Sequence, residues 1–132
     1  MKILIIVALQ FIAINLFAQS SQFSLKNSQW TVKIRELKNL EVKVHFKEDT
    51  VYFFYFVGSE QQSAFTFSQT QDTLIIIKAS GNDRCPVSSK GIYTVEPLDK
   101  GKKFLLHIIN DECSDRINGL TANPFESVGV RE

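Results

Sequence analysis

From Trp30 to Leu37 the chain alternates apolar and polar positions, with Trp30, Val32 and Ile34 set against Thr31, Lys33 and Arg35. A period of two marks a strand with one buried and one wetted face. Leu40, Val42, Val44 and Phe46 repeat the pattern against Glu41, Lys43, His45 and Lys47, and the short Lys38-Asn39 step between the two runs predicts a hairpin. Glu48-Asp49 supplies the next turn. Val51 to Val57 then reads Val-Tyr-Phe-Phe-Tyr-Phe-Val, whose β-branched and aromatic composition predicts a strand. Its lost alternation predicts apolar surroundings on both faces. Gly58-Ser59-Glu60 ends it.

Phe65 and Phe67 share one parity in a further short strand, and Leu74-Ile75-Ile76-Ile77 reads as a compact buried one. The stretch from Ala79 to Lys90 carries Gly81, Asn82, Asp83 and Pro86 and is expected to be a long polar loop. Extended pattern resumes over Gly91 to Val95. After a turn at Asp99 to Lys102, Phe104, Leu106 and Ile108 alternate with Leu105, His107 and Ile109. Asp111 to Gly119 reads as a turn or a single helical turn, and Phe125 to Val130 as a last strand. The pattern thus gives eight candidate strands at hairpin-like spacing and no convincing amphipathic helix. Such a set either closes into an antiparallel barrel or folds as a two-sheet sandwich. Short sequential connections favour the all-β barrel, which also removes exposed edges.

The segment before these strands is an address. Lys2 precedes an apolar run from Ile3 to Ile14, and Leu16-Phe17-Ala18 ends in a small residue before polar sequence begins at Gln19. That is the arrangement of a secretory signal over residues 1–18, leaving 19–132 as one domain. Gln10 and Asn15 interrupt the run and leave it short of a membrane span. No cysteine follows the expected cut, so there is no residue for lipid attachment, and the expected location is periplasmic or extracellular. In such an oxidising compartment Cys85 and Cys113, an even pair, are expected to form a structural disulfide. A metal site is not expected, because neither His45 nor His107 stands at finger-like spacing from the cysteines.

Composition narrows the functions further. Apolar residues make up 44% and charged residues 22%, the balance of a folded domain and not of a disordered tail. The whole chain has 15 basic against 14 acidic residues, and the segment 1–18 holds only Lys2 of them. No basic excess remains for a nucleic acid, so none is expected as a partner. The catalytic motifs G-x-S-x-G, H-E-x-x-H and the phosphate-binding loops do not occur, and paired cysteines leave no activated thiol. The expected class is non-catalytic, with no cofactor. Asp111, Glu112 and Asp115 lack the spacing of a calcium loop, and turn or helix-cap duty explains them.

One group of residues carries a resemblance. Trp30 at the start of the first strand, Cys85, Gly91-Ile92-Tyr93, the strand Phe104 to Ile109 and Asp111-Glu112-Cys113-Ser114-Asp115-Arg116 together resemble small bacterial lipocalin-like proteins of the calycin group. The resemblance covers about residues 28 to 126, and Gln29-Trp30 lacks the Gly of the usual G-x-W opening. It implies an eight-stranded barrel, pairing of Cys85 with Cys113, and Trp30 covered by Arg116 at one end. Phe53, Tyr55, Phe65 and Phe67 are then candidates to line a cavity for a small apolar molecule, oriented by Tyr93 or His107. A filled core would select the same residues. The alternative is a solid barrel that binds another protein through its loops, especially 79–90 and 117–124. His107 is also a candidate axial ligand for haem. Tyr52, Phe54 and Phe56 on the opposite strand face are expected to lie beneath the 19–27 segment or the long loop, or to form a partner patch.

Overall fold

The protein is described by a computed structural model over residues 22–34, 38, 40–57, 59–81 and 84–128, with the backbone alone described at 56, 57 and 59–61. The expected signal segment and the last residues of the expected final strand lie outside these. Eight antiparallel strands form a closed barrel in simple sequential order: β1 (Ser28–Ile34), β2 (Leu40–Phe46), β3 (Thr50–Val57), β4 (Ser59–Thr70), β5 (Thr73–Ser80), β6 (Lys90–Leu98), β7 (Lys103–Asp111) and β8 (Phe125–Ser127). β8 closes the circle, pairing with β7 through Phe104↔Phe125 and with β1 through Trp30↔Ser127. A 3-10 turn at Asp99–Gly101 links β6 to β7, and one helix, α1 (Ser114–Thr121), stands between β7 and β8. The single helical turn expected around Asp111 to Gly119 is therefore a longer helix, starting only after Cys113.

Three strands differ from what the sequence predicts. β3 does not meet apolar surroundings on both faces. Val51 is fully buried, and Phe53 and Tyr55 pack against the core. Tyr52 and Phe54 point outward, half-buried and stacked on each other at 6.1 Å. In the 22–27 segment, Phe23 packs against Trp30 and Phe104, while Asn27 borders an open hollow beside Tyr52. β5 likewise buries only alternate residues: Leu74 and Ile76 face inward while Ile77 is 37% exposed. The next inward position is Lys78, 2% exposed. β4 runs on well before Phe65, because the tight Val57↔Ser59 pairing carries Gln62, Ser63 and Ala64 into the ladder. Register shifts at Ala64/Phe65 and Ile92/Tyr93 are the bulges that bend the sheet round.

Aromatic rings fill the bore. At one end Trp30 meets Phe104 edge-on at 4.7 Å, Phe104 stacks on Phe125 at 4.5 Å, and Phe23 closes over both Trp30 and Phe104 at 6.0 Å. Gln69 holds that closing segment, accepting from the Leu25 amide at 2.9 Å and donating to the Phe23 carbonyl at 2.7 Å. Trp30 Nε1 donates to Ser28 Oγ at 2.7 Å, so the buried indole is satisfied. Further along, Phe46 meets Phe67 at 5.0 Å and Phe53 meets Phe65 at 5.5 Å. Phe104, fully buried among three rings, is the centre of this packing. Phe104→Ala is expected to cost about 3–5 kcal/mol, read as a lower urea midpoint at unchanged slope. A loss below ~1 kcal/mol would mean that the surrounding rings collapse into the gap.

Candidate functional site

The other end of the barrel is polar. α1 lies across it, burying Arg116 and Leu120, and Asn123 Nδ2 donates to the Lys33 carbonyl at 2.8 Å to tie the segment after the helix to β1. Arg116 reaches back to Asp111 at the end of β7 in a two-pronged pair, Nε to Oδ2 at 2.8 Å and Nη2 to Oδ1 at 2.7 Å. The Asp111 side chain is 0% exposed and that of Arg116 5%. Asp111 also accepts from the Tyr93 hydroxyl and from the Cys113 amide, the latter at 2.7 Å. Arg116 completes its set with Ser89, at 3.4 Å to both Oγ and the carbonyl, and its guanidinium stands 5.4 Å from the Phe65 ring centre. Gly91 makes the convergence possible, since a Cβ there would lie 2.5 Å from Asp111 Oδ2 and 2.9 Å from the Tyr93 ring.

Burial alone pushes the Asp111 carboxyl up, but hydrogen bonds from Arg116, Tyr93 and the Cys113 amide outweigh it and hold the group below its ordinary range. Burial and the bond to Asp111 push the Tyr93 phenol well above its ordinary value. Burial disfavours the Arg116 cation, yet the hydrogen bond and charge of Asp111 raise its pKa on balance. All three groups thus keep one protonation state around neutral pH. The arrangement is a fixed clamp of one buried ion pair and one phenol.

Beside the clamp lie the other polar groups of this end. Tyr55 Oη and Ser63 Oγ share a hydrogen bond of 3.1 Å, and Lys78 Nζ donates to the Cys85 carbonyl at 2.8 Å. Cys85 and Cys113 form the disulfide, S–S 2.05 Å, joining the loop after β5 to the residue just before α1. Among the described residues no buried side-chain nitrogen or oxygen lacks a partner.

Of the candidate cavity residues, Phe53, Tyr55, Phe65, Phe67 and Tyr93 share the interior. His107 does not join them. It sits on the outer face of β7, where its Nε2 lies 2.7 Å from Glu96 Oε1 with both side chains about half exposed. The β7 alternation puts Leu106 inside and His107 out, which removes it from any position over the bore. The expected cover of Trp30 by Arg116 is also corrected. Trp30 contacts Phe104 near the start of β7 and Arg116 binds Asp111 at its end. Seven residue steps along β7 carry Phe104 to Asp111, about 23 Å. Phe65 receives the guanidinium instead, while Phe23 and Leu25 supply the cover at the tryptophan end.

Sequence reasoning missed Asp111, Lys78, Ser63 and Ser89 as interior groups. For Asp111 the turn duty is real, through its bond to the Cys113 amide, but the main partner is Arg116 five residues on. Among the described residues no cluster of histidine, cysteine, aspartate and glutamate could hold a metal ion, and no helix is long and apolar enough to cross a membrane. Two open surface hollows lie near the tryptophan end. One of about 410 Å³ is bordered by Phe23, Gln69, Gln71 and Pro97, and one of about 570 Å³ by Asn27, His45, Lys47 and Tyr52. No family model, curated protein or solved structure matches this chain.

Proposed function

We propose that this chain is an exported, non-catalytic module with a lipocalin-like barrel that is solid, and that it binds another protein through the loops at the disulfide end. The observation that carries this reading is the stapled loop 84–89. Val87 is 63% exposed there, while Cys85 beside it is covalently joined to Cys113. The Ser88 amide donates to the Lys78 carbonyl at 2.8 Å and the Lys78 amide to the Ser89 carbonyl at 3.0 Å, so the loop is held against β5. A rigid loop that presents an apolar side chain loses little conformational entropy on binding. Ile77 and Ile109 extend the apolar character on β5 and β7, at 37% and 55% exposed. Ring-to-ring packing through the bore and buried residues at both ends support work at the outer surface.

A second reading keeps one observation in its favour. Phe53 and Tyr55 point into the barrel yet are only partly buried, so a small apolar molecule could enter beside them. Native mass spectrometry of the protein purified from its own periplasm or culture medium, with organic extraction in parallel, separates the two. The expected result is a stoichiometric protein complex that Val87→Arg abolishes, with an empty barrel mass on dissociation. A small molecule at near 1:1 occupancy would overturn the solid-barrel reading and assign its ligand to the Phe53 and Tyr55 entrance.

A further inference from the structure

We infer that the tryptophan end of the barrel is a binding site for an extended apolar peptide, and that the chain's own residues 22–26 occupy it in this structure. These residues precede β1 and belong to no strand. Among the described residues, only side chains bond their backbone to the barrel. Gln69 donates through Nε2 to the Phe23 carbonyl at 2.7 Å and accepts at Oε1 from the Leu25 amide at 2.9 Å. The Ser28 hydroxyl donates to the Leu25 carbonyl. A carbonyl and the amide two residues further on share one edge of an extended backbone, so Gln69 meets the segment as a neighbouring strand would. The side chains alternate accordingly. Leu25 is fully buried and Phe23 stands edge-on to Trp30 at 6.0 Å, while Ser24 between them is exposed.

The segment does not fill its site. A hollow of about 410 Å³ runs beside Phe23, bordered by Gln69, Gln71, Pro97 and the core residue Val95. The contacts already made choose the occupant. Gln69 requires a carbonyl and an amide spaced as in an extended peptide, and the two inward positions require an aromatic and an aliphatic side chain two residues apart. A lipid or a small aromatic molecule would fill the apolar positions but leave Gln69 Oε1 without its donor. The site does not rest on the docking of loop 84–89, which belongs to the disulfide end.

Fluorescence titration of the full exported chain with an acetylated peptide Gln-Phe-Ser-Leu-Lys-Asn, the sequence of residues 22–27, tests the inference. Phe23→Ser with Leu25→Ser removes the resident side chains without altering a strand, and Trp30, the one tryptophan of the sequence, reports occupancy. The doubly substituted chain should bind one peptide. The unsubstituted chain should bind it at least about tenfold more weakly, because its own segment competes at high effective concentration. Adding Gln69→Ala to the double variant should weaken the peptide by about tenfold or more, through the loss of two hydrogen bonds. A peptide with serine in place of its phenylalanine and leucine should not bind. Hydrogen exchange on the unsubstituted chain keeps the test valid if the double variant folds poorly. There the Leu25 amide should exchange at least about tenfold faster than the amides of β2 and β6, as it does when the segment leaves a barrel that stays folded. Exchange of Leu25 no faster than those strands, no peptide binding by a folded double variant, indifference to Gln69→Ala, or equal binding of the serine peptide would each overturn the inference.

Discussion

Arg116→Ala is expected to destabilise the barrel by roughly 3–5 kcal/mol, a large share of the ~5–15 kcal/mol that holds a domain of this kind folded. The cost does not come from the attraction of the pair, which is offset by the desolvation of both ions. It comes from what remains: Asp111, its side chain 0% exposed, would keep a carboxylate with only the Tyr93 hydroxyl and the Cys113 amide to satisfy it. Asp111→Ala should cost a similar amount by stranding Arg116 over Phe65. The double substitution should cost clearly less than the sum, because it removes the stranded charge as well as the pair. Urea titrations of the four species measure this. Additive losses would show that the two residues act on stability independently, contrary to the clamp.

The same cluster sets a pH dependence of known sign. The carboxyl of Asp111 has a folded pKa held below its unfolded value, so its stabilisation is fully present above the ordinary carboxylate range. It is lost as pH falls through that range toward the folded value, below about pH 4. Tyr93 behaves oppositely. Its folded pKa is raised, so its contribution is complete below about pH 10 and declines as pH rises further and the unfolded phenol ionises. Between these limits the cluster should be indifferent to pH. Asp111→Asn, less stable at neutral pH, should show a shallower acid limb in the same titrations.

Much of the barrel is readable from alternation alone. Val42, Val44 and Phe46 are buried where the period of two puts them, and so are Phe104 and Leu106. The period weakens where apolar residues occupy both faces. In β3 the outward Tyr52 and Phe54 cannot be told from the inward Phe53 and Tyr55 by hydropathy, since their stacking and the Lys47 ammonium over Tyr52 make the outer pair tolerable at a surface. In β5 the run Leu74 to Ile77 looks wholly buried, and the inward Lys78 after it looks like a solvated end. Lys78 is tolerated inside because the Cys85 carbonyl meets it, and that contact exists only once the loop folds back. The partner of Arg116 was not legible: the resemblance pointed to Trp30 on β1, and the structure gives Asp111 on β7. The sequence places Asp111 and Arg116 on either side of Cys113, but which end of the barrel they occupy depends on the direction of β7. That direction puts Phe104, not Asp111, beside Trp30.

Removal of the disulfide, by Cys85→Ser with Cys113→Ser, should cost about 3.5 kcal/mol if its action is to restrict the unfolded chain across a separation of 28 residues. The structure gives reason to expect more. Cys113 immediately precedes α1, Ser89 in the tethered loop binds Arg116, and the Cys85 carbonyl binds Lys78. Each of these contacts relies on the loop and the helix keeping one spacing, which the bond between them fixes. Loss of the disulfide should therefore weaken the clamp as well as loosen the unfolded state. A cycle combining the cysteine pair with Arg116→Ala distinguishes the two effects. Pure chain entropy predicts additivity, because it acts on the unfolded ensemble alone, whereas a shared network predicts a combined loss smaller than the sum. Smaller than additive is the expected result, and hydrogen exchange should rise first at the Ser88 and Ser89 amides and along α1 while β1 and β2 stay protected. Full additivity with uniform exchange would place the disulfide's whole effect in the unfolded chain.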